Sequence, residues 1–131
     1  MGASQRRKGA TGERELRNML ADFLGVDVQR NLQQTRDGGH DLLGIGPFAL
    51  EVKRCEQLNL GTWWAQACDQ AEQSGLVPAL AYRQSRQPWR FVVPVRSIMG
   101  QPGYTYEPRA TVEIDGFALI VRELIHTEDA A

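Results

Sequence analysis

Cysteine is scarce in this sequence. Only Cys55 and Cys68 occur in 131 residues, which excludes a disulfide framework and any cysteine-rich zinc site. A reducing, cytoplasmic compartment is the expectation. Long apolar runs are also missing, since no stretch approaches the roughly 18 residues that span a bilayer; no membrane partner is expected. The opening Met-Gly-Ala-Ser-Gln-Arg-Arg-Lys has no apolar segment behind it, so a secretory signal is not expected either. Net charge is nearly absent: 15 Lys+Arg against 16 Asp+Glu gives −1, not the basic bulk of a histone-like binder. The hydrophobic share of 42% and charged share of 24% are those of a globular chain rather than a disordered one. The length suits one compact domain and not two.

The charges that are present are unevenly placed. Arg83, Arg86, Arg90 and Arg96 follow one another with no acid between them, interleaved with Trp89 and Phe91. Residues 110–131 carry Glu113, Asp115, Glu123, Glu128 and Asp129 against Arg122 alone. The acidic tail hides a basic stripe, which either tracks a phosphate backbone or is simply an exposed hairpin.

Residues 1–10 read as a flexible basic arm, and 11–131 as a single domain. Leu16, Met19, Leu20, Phe23 and Leu24 follow the spacing of an amphipathic helix, with Thr11 as N-cap and Gly25 as stop. Val26, Val28 and Leu32 alternate as a first strand, with Arg30 on their side. A polar loop over 33–39 leads to two strands, Asp41–Leu43 and Phe48–Arg54, joined by a Gly44-Ile45-Gly46-Pro47 turn. Gly61–Ser74 reads as a second helix closed by Gly75. Leu76–Arg83 is nearly continuous apolar sequence, as in a buried strand, and Trp89–Val95 is another. Asp115-Gly116, between Val112/Ile114 and Phe117/Leu119/Val121, predicts a C-terminal β-hairpin, whose apolar edge would suit a dimer contact. The class is mixed α/β.

Chemistry concentrates around Glu51-Val52-Lys53. On a strand, residues two apart share a face, so Glu51 and Lys53 project together. A turn centred near Gly46 sets Asp41 almost opposite Glu51. Facing acids repel, and a sequence keeps them when a cation sits between them; otherwise Asp41 only ends the Gly38-Gly39 loop. Glu13 aligns with the core-facing stripe of the first helix, where a carboxylate must be paired, metal-bound or neutralised, or else it is a helix-start acid favoured by the dipole. Glu15, its neighbour, flanks that stripe and is the weaker candidate. Three carboxylates and a lysine suit a hard, oxygen-liganded cation such as Mg²⁺. Such a set points to metal-assisted phosphodiester hydrolysis, with Lys53 holding the scissile phosphate or positioning the attacking water.

Asp41 followed by Glu51-x-Lys53 resembles the signature of the PD-(D/E)XK nucleases, with His40 where proline often stands. Arg7-Lys8-Gly9-Ala10-Thr11-Gly12-Glu13-Arg14-Glu15-Leu16 is similar to the opening of archaeal-type (Hjc-like) Holliday junction resolvases. So is Gly75-Leu76-Val77-Pro78-Ala79-Leu80-Ala81-Tyr82-Arg83 with Trp89-Arg90-Phe91. The resemblance covers about residues 6–95. It implies a restriction-endonuclease-like mixed β-sheet flanked by helices. It also implies catalytic Glu13, Asp41, Glu51 and Lys53, and Mg²⁺ (with Mn²⁺ able to substitute) on Asp41, Glu51, the Val52 carbonyl and Glu13. DNA contacts would come from Arg7, Lys8, Arg14, Arg30, Thr35, Arg36, Arg54, Gln66 and Arg83, with Arg14 and Arg30 matching arginines tied either to DNA or to organisation of the site. A homodimer nicking four-way junctions is the implied assembly. The loop from Gln33 to His40 departs from the family by offering Thr35 and Arg36 in place of a Ser-Gly run, and residues 96–131 match nothing assignable. A restriction or repair endonuclease, or a catalytically silent DNA-binding module, are the competing functions. Gln66, Gln70, Trp63 and Trp64 have ordinary roles as a solvated or packed helix face beside any functional one.

Overall fold

The computed structural model describes residues 2–30, 41–100 and 106–130, with side chains for 11–30, 41–100 except Leu43, and 106–125. Helix α1 (Gly2–Leu24) buries Leu16 and Leu20 completely. It ends where Gly25 turns to a positive φ of 67° and its N–H bonds the Ala21 carbonyl at 2.8 Å. Thr11 lies inside this helix rather than capping it, because the turn before it is also helical. The first strand is short: β1 spans Gln29–Arg30, and Leu32 falls outside the described residues. Strands β2 (Leu42–Leu43) and β3 (Phe48–Cys55) pair antiparallel, Leu42 opposite Leu50. The connecting turn needs Gly44: its φ is 90°, and a Cβ there would stand 2.5 Å from the Asp27 carbonyl oxygen.

Helix α2 (Leu60–Ser74), stopped by left-handed Gly75, carries the chain to β4 (Val77–Gln84), which runs parallel to β3 from Phe48↔Val77 to Cys55↔Gln84. Strand β5 (Arg90–Pro94) returns antiparallel, and a turn of helix α3 (Val95–Ile98) precedes β6 (Arg109–Val112). Among the described residues the result is a mixed six-stranded sheet in the order β1-β2-β3-β4-β5-β6. Alternation along the strands sorts its two faces. Phe48, Leu50, Val52, Ala79, Phe91 and Val93 pack beneath α1 and the C-terminal helix, whereas Leu80 and Val92 pack against Trp64 and Ala67 of α2.

The expected C-terminal hairpin is not formed. Residues Ile114–Ala130 make helix α4. Asp115 lies in its first turn, where its carboxylate accepts from the Gly116 N–H at 2.8 Å and favours the positive helix end. Phe117, Ile120, Val121 and Leu124 are buried while Leu119 is 54% exposed, so the burial period is that of a helix and not the two-residue alternation. Phe117 stacks on Phe91 with centroids 4.5 Å apart and tilts against Phe48 at 5.3 Å.

The two conformations of the Asp115-Gly116 segment respond oppositely to one substitution. In a helix Gly116→Ala stabilises by roughly 0.4–1 kcal/mol, whereas the positive φ of a hairpin turn would make alanine destabilising. A Cβ at Gly116 meets Val112 at an ordinary 3.4 Å. Urea denaturation is therefore expected to give a higher midpoint for Gly116→Ala.

Candidate active site

Strand alternation places Leu50 and Val52 in the core under α1, so Glu51 and Lys53 face the other layer beside their β4 partners Leu80 and Tyr82. Asp41 precedes Leu42, itself a core residue on the α1 side, and so turns toward the Glu51 face. Two bonds fix Asp41 on either side of Glu51. Its N–H donates to the Leu50 carbonyl at 2.9 Å, and its Oδ2 accepts from the Val52 N–H at 2.6 Å. Both acids are removed from water, Asp41 at 7% and Glu51 at 5% exposure.

That burial has an electrostatic consequence. Removal from water, then repulsion by Asp41, pushes the Glu51 carboxyl from 4.5 up to about 8. Lys53 pulls it back in part, and Glu13 adds a smaller repulsion from α1. Glu13 itself is held by Arg30, whose Nε donates to Oε2 at 3.0 Å with both side chains mostly buried. Helix α1 and strand β1 thus bring together the two residues singled out from the sequence as acid and arginine. Among the described residues, no three acidic, histidine or cysteine side chains already converge as a metal cage. Asp41 and Glu51 are the facing acids, and Glu13 is engaged by its arginine.

Donor chemistry still fits a hard cation. Two carboxylates on one face, one of them carrying an unfavourable charge, are what a divalent ion would neutralise. The Val52 backbone lies between them, its N–H turned toward Asp41; the N–H and carbonyl of one strand residue point to the same side.

The chain matches, over residues 4–124, the model of the family described as "Phage putative PDDEXK endonuclease". The chain belongs to this PD-(D/E)XK endonuclease family. Among solved structures it is similar to Hjc of Archaeoglobus fulgidus, a Holliday junction resolvase from an archaeal hyperthermophile, at 24% identity and a TM-score of 0.50. That match covers 86% of this chain and 88% of that one and shows the shared nuclease fold. No curated protein matches the sequence.

Other expected contact residues of this nuclease scatter more widely. Arg14 is exposed on α1. Gln66 points to solvent on α2, whereas Gln70 is half-buried and its side-chain oxygen has no hydrogen-bond partner among the described residues. Periodicity held the signal for this difference, since Gln70 lies nearer the Ala67/Ala71 side that meets the sheet. The side chains of Arg7 and Lys8, and all of Thr35, Arg36 and His40, lie outside the described residues. The arginine stripe does not form one surface. Trp89 and Phe91 are core residues, Arg83 pairs with Glu15, and Arg90 pairs with Glu113 at 3.4 Å. A cavity of about 530 Å³ opens elsewhere, between α1, the β4–β5 connection and the start of α4, on the face opposite Glu51.

Raised proton affinity at Glu51 sets a pH dependence. Between about 4.5 and 8 the folded protein holds a proton that the unfolded chain has lost, so metal-free stability is full below that window and declines as pH rises through it. Glu51→Gln removes the charge and should flatten the decline. At pH 8 it should exceed the parent protein by on the order of 1–3 kcal/mol in urea titrations with EDTA present. An unchanged slope in the variant would assign the decline to another group.

Proposed function

We propose that this PD-(D/E)XK nuclease is a divalent-metal-dependent DNA endonuclease, acting as a homodimer on branched, four-way DNA. The observation that carries the chemistry is the pair of buried, facing carboxylates of Asp41 and Glu51 beside Lys53. Asp41, Glu51 and the Val52 carbonyl, with Glu13 at the margin, would hold Mg²⁺ or Mn²⁺. Bound there, the ion supplies a more acidic water and neutralises charge on the scissile phosphate.

The chain's own groups do the rest. The Val52 N–H keeps the Asp41 carboxylate oriented, so the two acids need no reorganisation when substrate arrives. Lys53 projects from the Glu51 face and offers an ammonium to a non-bridging phosphate oxygen or to the departing oxygen. Glu51 must lose its proton to serve as a ligand, so cleavage should rise with pH toward and above neutrality. Arg30, by neutralising Glu13, limits the negative potential that would repel the DNA backbone.

The choice of four-way DNA rests on likeness to an archaeal resolvase of the same fold together with the Arg7–Leu16 and Gly75–Arg83 segments. Two copies would be needed to nick two strands symmetrically. A restriction or repair endonuclease is the second reading, favoured by a family description that names an endonuclease and no junction. A catalytically silent binder is disfavoured, because buried acids beside Lys53 give nothing to phosphate binding alone. The scarcity of cysteine, with Cys55 and Cys68 outside any disulfide, fits a reducing cytoplasm. Among the described residues no helix is long and apolar enough to cross a membrane.

Asp41→Asn and Lys53→Ala should each lower cleavage by at least about 100-fold while DNA binding persists. Four-way, flap and linear duplex substrates, compared on gels with Mg²⁺, Mn²⁺ or EDTA, test the substrate and the metal together. Preferential nicking of the four-way substrate is expected. Equal cutting of all three would favour the second reading, and cleavage in EDTA would remove the metal.

A further inference from the structure

Strand alternation separates Lys53 from its neighbour. Lys53 faces the α2 layer, and Arg54 points to the α1 side, where it lies directly beside Arg83 in the β3–β4 register. Two adjacent guanidinium groups repel each other unless an anion sits between them. Glu15 of α1 is that anion: Oε2 lies 3.6 Å from Nη1 of Arg54, and Oε1 accepts directly from Nη1 of Arg83. The fork is built rather than incidental. Arg83 Nε is fixed by donating to the Gln87 carbonyl at 2.8 Å. Arg54 is pressed under α1 at Gly12, where a Cβ would come within 3.2 Å of Arg54 Cβ. The Arg54 Nε is buried with no partner among the described residues. Yet the cluster is open to solvent at its tips, with side-chain exposures of 22% for Arg54, 25% for Arg83 and 31% for Glu15.

We propose that Arg54 and Arg83 form a fork for a backbone phosphate of the DNA, which Glu15 occupies as a resident carboxylate until the DNA displaces it. The inference rests on the nuclease reading above. Glu15 bridges the two guanidinium groups with one oxygen to each, and a phosphate can offer two oxygens in the same way, so one can replace the other with little movement of the arginines. Two arginines against one carboxylate leave an excess positive charge that a phosphate diester can use. The fork lies one residue beyond Lys53 on the strand but on the opposite face of the sheet, so it would hold a phosphate other than the one that is cut. Of the other acids bordering the same recess, Glu113 is paired with Arg90 and Asp115 accepts from the Gly116 N–H. Glu15 therefore acts as a built-in competitor that weakens binding and lowers its salt sensitivity, not as a metal ligand.

A merely structural ion pair would lose affinity when broken, whereas a resident competitor makes the opposite prediction. Fluorescence anisotropy of a labelled four-way DNA in EDTA, across several NaCl concentrations, separates the two. Glu15→Gln should bind about 3- to 10-fold more tightly at low salt, with the log–log salt slope steeper by about 0.9 for each phosphate gained. Adding Arg54→Gln and Arg83→Gln should return the slope to the parent value or below. Equal or weaker binding by a folded Glu15→Gln, with an unchanged slope, overturns the fork while leaving the nuclease reading intact. Absence of DNA binding by the parent protein overturns both. Should Glu15→Gln not fold, Arg54→Gln and Arg83→Gln alone decide: each should flatten the slope by about 0.9, and an unaltered slope in both overturns the fork.

Discussion

Two like charges facing each other across β2 and β3 are the constraint around which this molecule is arranged. Asp41 and Glu51 are placed together by strand pairing, buried by the layers above and below, and kept close by the Val52 N–H. A chain selected for stability alone would not hold them there, since burial and repulsion together force a proton onto Glu51 near neutrality. The surrounding structure bears this cost. Fully buried Leu42 and Leu50 lock the register from the opposite face, and the Gly44 turn lets the two strands approach the backbone at Asp27.

This core of the site was legible because it depends on a period and a turn. Glu51-x-Lys53 on one strand needs only two-residue alternation, and the facing position of Asp41 needs only a hairpin centre, which Gly44 and Gly46 mark with positive φ angles. The parallel β3–α2–β4 unit was readable for similar reasons: Gly75 ends the helix, and the apolar run after it is a strand buried on both faces. What stayed illegible was pairing at a distance. Arg30 reaching Glu13 across 17 residues, and Arg83 reaching Glu15 across 68, are products of tertiary packing with no local pattern.

The C-terminal segment failed for a different reason. Asp-Gly is a strong turn signal, and Phe117, Leu119 and Val121 alternate well enough to satisfy a strand template. The same residues also satisfy a helix template through Phe117, Ile120, Val121 and Leu124, and over so short a run the two are indistinguishable. Tertiary packing decided between them. A helix lets Phe117 enter between Phe48 and Phe91, and among the described large apolar residues of that helix it leaves only Leu119 exposed. The choice also closes the sheet face that α1 alone does not cover, with the Arg122 guanidinium donating to the Phe23 carbonyl where the two helices meet.

Alternation on β3 has a further effect on how charge is distributed through the fold. Adjacent residues Lys53 and Arg54 carry the same sign but emerge on opposite faces, so one strand end supplies a cation to each layer. On the α2 side the cation stands with two facing acids, and burial with the repulsion of Asp41 disfavours the charge of Glu51. On the α1 side two arginines stand with a single acid that offsets only part of theirs. The sheet therefore separates an electron-rich pocket suited to a metal ion from an electron-poor one suited to a phosphate, a few ångströms apart along the chain and on opposite sides of it. A phosphodiester presents both needs at once, because its reacting atom requires a cation to absorb charge while its neighbouring phosphates require fixed positive partners. Were Lys53 and Arg54 on one face, each would compete for the same anion, and the acids at Asp41 and Glu51 would neutralise the very groups proposed to grip the backbone.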